Sequence, residues 1–298
     1  MTLRHPFKRT AACFAAAATL TALAGFSGQA LAQGYPNKPL KFVVPFSAGS
    51  ATDAVGRIVA QAMGEALGQP STVENKAGAN GILGAEAVKG APGDGYTFLV
   101  TTSTTQAANV SLYKKLSYDP VKDFTPIGKI GETGFILMVQ ADFPAKDMKE
   151  FIAYGKANPG KLAYGHGSSG SLVSAALLGQ MAGLEFLSVP YKSIPPALTD
   201  LLGGQLQFVF ADVGNAVSQM NGGRLRGLGV TTAKRAGKAP QVPPMGDTVK
   251  DYAMGAWFGL MAPAGLPADV KAKVGTAFAA VMAKPEVREK IAGVGIDV

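Results

Sequence analysis

The apolar residues of this chain change period at short intervals. Residues 40–44 form a mostly apolar run, the pattern of a strand covered on both faces, and Pro45 ends its hydrogen-bonding ladder. A small-residue turn follows at 47–52. Val55, Ile58, Val59, Met63 and Leu67 then recur at helix spacing, with Gly68 set to stop the helix. Residues 71–74 predict a second strand, 82–88 a helix and 96–101 a third strand, separated by the glycine-bearing turns 75–81 and 90–95. Strand, polar turn and helix in repetition predict a parallel sheet with helices on both faces and ligand-facing turns at the carboxyl ends of its strands.

The pattern breaks at 118–124, a connection carrying Pro120, and the apolar runs 126–130 and 135–139 predict strands that cross between two lobes. Alternation then resumes. Helix 148–157, strand 162–165, a helix from Ser171 to Gly183, strand 186–190, helix 195–202, strand 207–211, a short helix 216–220 and strand 226–231 follow in order. Residues 255–262 predict the return crossing, and 267–282 and 285–291 predict closing helices with Pro267 and Pro285 near their first turns. The expected crossings are at 131–139 and 252–257. No fixed-period repeat occurs.

The first residues stand apart from this fold. Arg4, Lys8 and Arg9 precede a small apolar run from Ala11 and the tetrad Gln29-Ala30-Leu31-Ala32, the signature of a secretory signal peptide cut after Ala32. Cys13 lies within that leader, so residues 33–298 contain no thiol, which fits export to a bacterial periplasm without disulfides. That length lies near the limit of about 250–300 residues at which one core divides, and two lobes are expected. The division is 1–32 leader, 33–130 with 255–298 as lobe one, and 131–254 as lobe two. Removing Arg4, Lys8 and Arg9 with the leader lowers the formal net charge from +8 to +5, a mild attraction for anionic solutes. Nucleic-acid binding is disfavoured, because the one basic cluster, Lys234-Arg235-Ala236-Gly237-Lys238, has no aromatic residues between its cations.

The inventory of reactive groups narrows the chemistry. The histidines are His5, in the leader, and His166, so a Cys/His metal site cannot be assembled and none is expected. Gly167-Ser168-Ser169-Gly170 has the wrong spacing for a nucleophile elbow, and an exported hydrolase is disfavoured. Gly78-Ala79-Asn80-Gly81-Ile82-Leu83-Gly84 is Gly-x-x-Gly-x-x-Gly, a turn that uses glycine freedom rather than a dinucleotide fingerprint, so no cofactor is expected. What remains is four hydroxyl-rich turns at predicted strand ends, 47–52, 78–81, 101–105 and 165–171, supplying Gly78, Asn80, Thr102 and Ser103 among others. They carry no arginine, so an anion there is held by helix amino ends and neutral donors. Ser50 and Asp53 have capping spacing; Asp53 is a cap or a direct ligand, Asp212 a cap or an acceptor for a ligand's ammonium or hydroxyl, and Phe46 a core ring or a lid.

Several stretches then match one family. Val44-Pro45-Phe46-Ser47-Ala48-Gly49-Ser50-Ala51-Thr52-Asp53, Val73-Glu74-Asn75-Lys76-Ala77-Gly78-Ala79-Asn80-Gly81, Asp94-Gly95-Tyr96-Thr97, Val189-Pro190-Tyr191-Lys192 and Pro196-Ala197-Leu198-Thr199-Asp200-Leu201-Leu202-Gly203-Gly204 resemble the Bug-type substrate-binding proteins of tripartite tricarboxylate transporters. The resemblance covers essentially the whole chain after the leader. It implies a two-lobed periplasmic-binding-protein (Venus-flytrap) fold, each lobe a mostly parallel sheet flanked by helices, that closes on a small carboxylated solute and presents it to membrane permease subunits. It implies no catalysis, and a monomer is expected.

On this account Ser47, Gly49, Ser50 and Thr52 hold one carboxylate, and the closing lobe adds Ser168, Ser169, Gly170, Tyr191 and Asp212. The solute class is a di- or tricarboxylate, an aromatic acid or an acidic amino acid. The same fold also suits a solute sensor that feeds a signalling partner. Ala48-Gly49-Ser50 stands where the family often has Pro-Gly-Gly, and apolar residues 172–178 replace its frequent His and Glu. The chain ends at Val298, where relatives commonly continue with another helix, so lobe one is expected to be less covered there.

Overall fold

In the computed structural model the described residues are 34–298, and the leader expected at 1–32 lies outside them. Residues 38–298 form one unit. Its first part runs β1 (Leu40–Val44), α1 (Ala51–Leu67), β2 (Ser71–Asn75), α2 (Ile82–Lys89), β3 (Thr97–Thr102), a π-helical turn (Thr104–Ala108), α3 (Asn109–Leu112) and β4 (Phe124–Thr133). Then come β5 (Phe135–Gln140), α4 (Met148–Ala157), β6 (Leu162–His166), α5 (Ser169–Ala182), β7 (Phe186–Pro190), α6 (Ile194–Leu202), β8 (Phe208–Asp212), α7 (Val213–Asn221) and β9 (Leu225–Val230). The chain closes with β10 (Ala256–Pro263), α8 (Ala268–Ala283) and α9 (Pro285–Gly293).

Two five-stranded sheets result, ordered β2-β1-β3-β10-β4 and β7-β6-β8-β5-β9. Within each, the three strands joined through helices pair in parallel, while the crossing strands β10 and β5 pair antiparallel to both of their neighbours. The sheets are therefore mixed, parallel only where a helix returns the chain to the same edge. Gly134 alone separates β4 of one sheet from β5 of the other. Thr232 Cγ2 comes within 2.7 Å of where a Cβ on Gly134 would lie, so the crossing passes close to the returning segment. That segment leaves β9 at Val230 and reaches β10 at Ala256, with the Met254 N–H donating to the Thr231 carbonyl at 2.8 Å.

The cores explain why the elements sit where they do. In the first sheet Phe42 and Phe98 lie stacked at 5.2 Å on neighbouring strands, and Val43, Leu99 and Ala85 join Tyr118 and Phe124 on the other face. In the second, Phe208 of β8 meets Phe151 edge-on at 5.3 Å, Phe186 at 4.8 Å and Tyr164 stacked at 5.4 Å. Such pairs add about 0.5–1.5 kcal/mol each beyond their burial. At the far end Phe278 of α8 lies against Gly128, and Glu132 and Asp297 exchange backbone bonds of 2.7 and 2.8 Å.

Two local expectations are corrected. The polar turn expected at 101–105 is strand to Thr102 and then π-helix, because the Thr105 hydroxyl bonds the Thr102 backbone and the Thr102 hydroxyl accepts the Thr104 N–H at 3.2 Å. The helix expected at 216–220 starts at Val213, because the Asp212 side chain caps it through the Asn215 N–H at 3.1 Å.

Candidate functional site

The amino ends of α1 and α5, the turn after β3 and the junction of β8 with α7 enclose a cavity of about 40 Å³, room for about three waters. Both crossings contribute to its wall. No lysine or arginine lines it.

One side is the turn 46–53. Ser50 caps α1, its Oγ accepting the Asp53 N–H at 3.2 Å, and the Ser50 N–H closes the turn on the Ser47 carbonyl at 3.1 Å. Asp53 is 4 % exposed and points away from the cavity. Its carboxylate accepts the Gly49 N–H at 3.0 Å, Arg57 Nε at 3.1 Å and Asn75 Nδ2 at 2.8 Å, and Asn75 also reaches the Phe46 carbonyl at 3.0 Å. Burial raises the Asp53 pKa, but Arg57, Asn75 and the Gly49 N–H outweigh it and hold the carboxyl below its ordinary value. Asp53 therefore shapes the turn and does not line the cavity.

With Gly49 committed to Asp53, the donors left over are the N–H groups of Ala51 and Thr52, which have no acceptor among the described residues. Ser50, Ala51 and Thr52 line the cavity; Ser47 and Gly49, expected to hold a carboxylate, do not. Thr102 and Ser103 line it as the sequence suggests, joined by Thr104, and Phe46 forms a buried wall with Phe135 and Phe258.

The facing side comes from the second sheet. Ser168 and Ser171 form a capping box at the start of α5, and the Ser171 hydroxyl also accepts the Gly167 N–H at 3.1 Å. Gly167 and Ser168 line the cavity. Ser169 does not: its hydroxyl donates to Thr104 Oγ1 at 2.8 Å, joining α5 to the π-helical turn of the first sheet. Gly170 is also behind the wall, so close to the Phe135 ring that a Cβ has no room. Asp212 lines the cavity almost fully buried; burial pushes its carboxyl up, against the Asn215 bonds that pull it down.

Other expected contacts fall elsewhere. Asn80 and Tyr191 line a neighbouring groove with His166, and Gly167 borders both hollows. Asn80 Nδ2 donates to Asn109 Oδ1 at 2.8 Å, and Gly78, at φ 139°, leaves no space beside Leu83. The Tyr191 hydroxyl donates to Asp200 at 2.6 Å, and burial with that carboxylate pushes its pKa up to about 12. His166 is half-buried, and burial alone lowers its pKa. It therefore brings no positive charge to the groove at neutral pH. Among the described residues no group of three or more His, Cys, Asp or Glu is placed to hold a metal, and no helix is long and apolar enough to cross a membrane.

The lining residues that sequence reasoning missed are Ala51, Thr104, Thr133, Phe135, Gly167, Ser193, Ile194, Ala256 and Phe258. Thr133, Phe135, Ala256 and Phe258 sit on the crossings, whose facing is set by the junction of two sheets. Ser193 had a legible signal, a serine immediately before a helix.

Comparison with known proteins agrees with this architecture. The family model for the tripartite tricarboxylate transporter family receptor matches residues 55–298. The periplasmic binding protein BugD is 34 % identical, with a TM-score of 0.83 over 89 % of each chain. MatC from Rhodopseudomonas palustris, solved with bound malate, is 33 % identical, with a TM-score of 0.82 over 89 % of this chain and 91 % of that one. An R. palustris protein solved with adipate is 31 % identical, with a TM-score of 0.85 over 88 % and 89 %. These are substrate-binding proteins and not enzymes, which removes the hydrolase reading. The chain belongs to the tripartite tricarboxylate transporter receptor family, as a Bug-type periplasmic solute-binding protein.

Proposed function

We propose that this protein, exported by its leader, captures a small carboxylated solute between its two lobes and delivers it to the permease subunits of a tripartite tricarboxylate transporter, working as a monomer. The observation that carries the reading is the amino end of α1, where the free N–H groups of Ala51 and Thr52 meet the cavity in the absence of any lining cation. A helix start of this kind attracts one carboxylate at modest energy, about 0.3–1 kcal/mol from the dipole plus the direct bonds. The malate and adipate bound by two relatives support a dicarboxylate as the class.

Lobe one, 33–130 with 255–298, and lobe two, 131–254, swing about Gly134 and the return near Ala256 in this reading, and closure buries the solute among Phe46, Phe135 and Phe258. The test is a melting and Trp257 fluorescence screen against di- and tricarboxylates, aromatic acids and acidic amino acids. A true solute at about 100 times its Kd stabilises the fold by about 2.7 kcal/mol, a shift of about 5–10 °C. Silence across the whole panel overturns the reading.

A further inference from the structure

Ser193 is the amino cap of α6 by position, yet it caps nothing. A cap hydroxyl accepts from the N–H of the second or third helical residue, as Ser50 does from Asp53 and Ser168 from Ser171. In α6 those two residues are Pro195 and Pro196, and proline has no N–H. The Ser193 side chain thus makes no cap bond, and its Oγ is a buried atom without a hydrogen-bond partner.

The hydroxyl is also not free to turn to water. Ser193 is 1 % exposed, and Gly167 lies against its backbone so closely that any side chain there would collide with it. Ser193, Gly167 and Ile194 line the cavity together, across from Ser50 and Thr52. An unmatched buried hydroxyl costs about 1–3 kcal/mol, and the positive end of α6 stands beside this one. The prolines leave Ile194 as the only N–H donor among the first three helical residues, so the Ser193 hydroxyl is the side-chain donor beside it.

We propose that Ser193 is a specificity-determining residue whose hydroxyl, at the amino end of α6, donates to the second carboxylate of a dicarboxylate whose first carboxylate sits at the amino end of α1. This rests on the carboxylate reading above and names its substrate class as diacid. The Tyr191 and Asp212 contacts suggested by sequence are not required for it.

The experiment titrates the purified full chain and its Ser193→Ala variant with straight-chain diacids of three to six carbons and with the monoacids of matching length, alongside ligand-free melting of both proteins. The expected result is that at least one diacid binds, that Ser193→Ala weakens it about tenfold or more, and that any monoacid changes by less than about twofold. Ligand-free melting of the variant is unchanged or higher, since the hydroxyl has no partner within the protein. Equal losses for diacid and monoacid, no loss for either, or a variant that melts several degrees lower or fails to fold overturns the proposal, the last because it assigns the hydroxyl a structural bond. Wild-type binding of other carboxylates but of no diacid overturns this inference and leaves the proposed function standing. No binding of any carboxylate brings down that function, and the inference with it.

Discussion

Asp53 commits both carboxylate oxygens to its own lobe, and the turn that faces the cavity depends on it. Gly49, Arg57 and Asn75 all converge on this one side chain, so Asp53→Asn leaves the guanidinium without its ion pair and weakens three bonds at once. A loss of about 1–3 kcal/mol at pH 7 is expected by denaturant unfolding. The pH dependence follows from the lowered pKa. The stabilisation is complete above the ordinary value of 3.8 and is lost as pH falls through the lower folded value, so wild type and variant converge in strong acid. An undiminished gap at pH 2 would count against this account.

At this scale the sequence was read by residue type and strand end, which reached Phe46, Ser50, Thr52, Thr102, Ser103, Ser168 and Asp212, all in the cavity wall. It also named Ser47, Gly49 and Tyr191, which do not line that wall: the Ser47 carbonyl and the Gly49 N–H are taken by Ser50 and Asp53, and the Tyr191 hydroxyl by Asp200. Which donor is already engaged is a tertiary matter.

Among the elements, the least legible are those whose geometry is set by side chains bonding back to the chain. Apolar residues repeating on one face located α1 and α4, Gly183 the end of α5, and Pro267 and Pro285 the starts of α8 and α9. The π-helical turn after β3 left no such period. Threonine hydroxyls build it, and it carries Thr104 to the Ser169 hydroxyl of α5.

That bond links an element of one sheet to an element of the other with both side chains buried, and it lies outside the cavity wall on the α5 side. Ser169→Ala removes the donor and leaves the Thr104 hydroxyl without it. We expect closure to be about 1 kcal/mol less favourable, so binding weakens about fivefold and by the same factor for every solute that binds. Calorimetric titration with two different acids checks this; a loss confined to one of them would mean that Ser169 touches the solute.

For the whole molecule, the repeated strand-turn-helix pattern led to two similar sheets, and the chain passes from one sheet to the other at Gly134 and returns before Ala256, within 131–139 and 252–257. The antiparallel pairings of β5 and β10 were not legible, because buried strands of either sense carry the same apolar run. The crossings also supply Thr133, Phe135, Ala256 and Phe258 to the cavity, so the missed pairings and the missed wall residues share one cause.

The cavity wall has hydroxyls, helix ends and phenyl rings but no lysine or arginine. Fixed dipoles inside a closed cleft are hardly screened by dissolved ions, whereas the net charge, +5 once the leader's Arg4, Lys8 and Arg9 are gone, acts through solvent at long range. Raising ionic strength from about 0.01 M to about 1 M shortens the screening length from about 30 Å to about 3 Å. Stopped-flow capture should therefore slow with salt while the equilibrium affinity moves by less than about threefold, and a steep fall in affinity would point to a cation at the solute. On the proposed function, a solute held this way keeps its full negative charge without a counter-ion, and a permease mouth carrying a single positive group has a ready means of drawing it out once the lobes part.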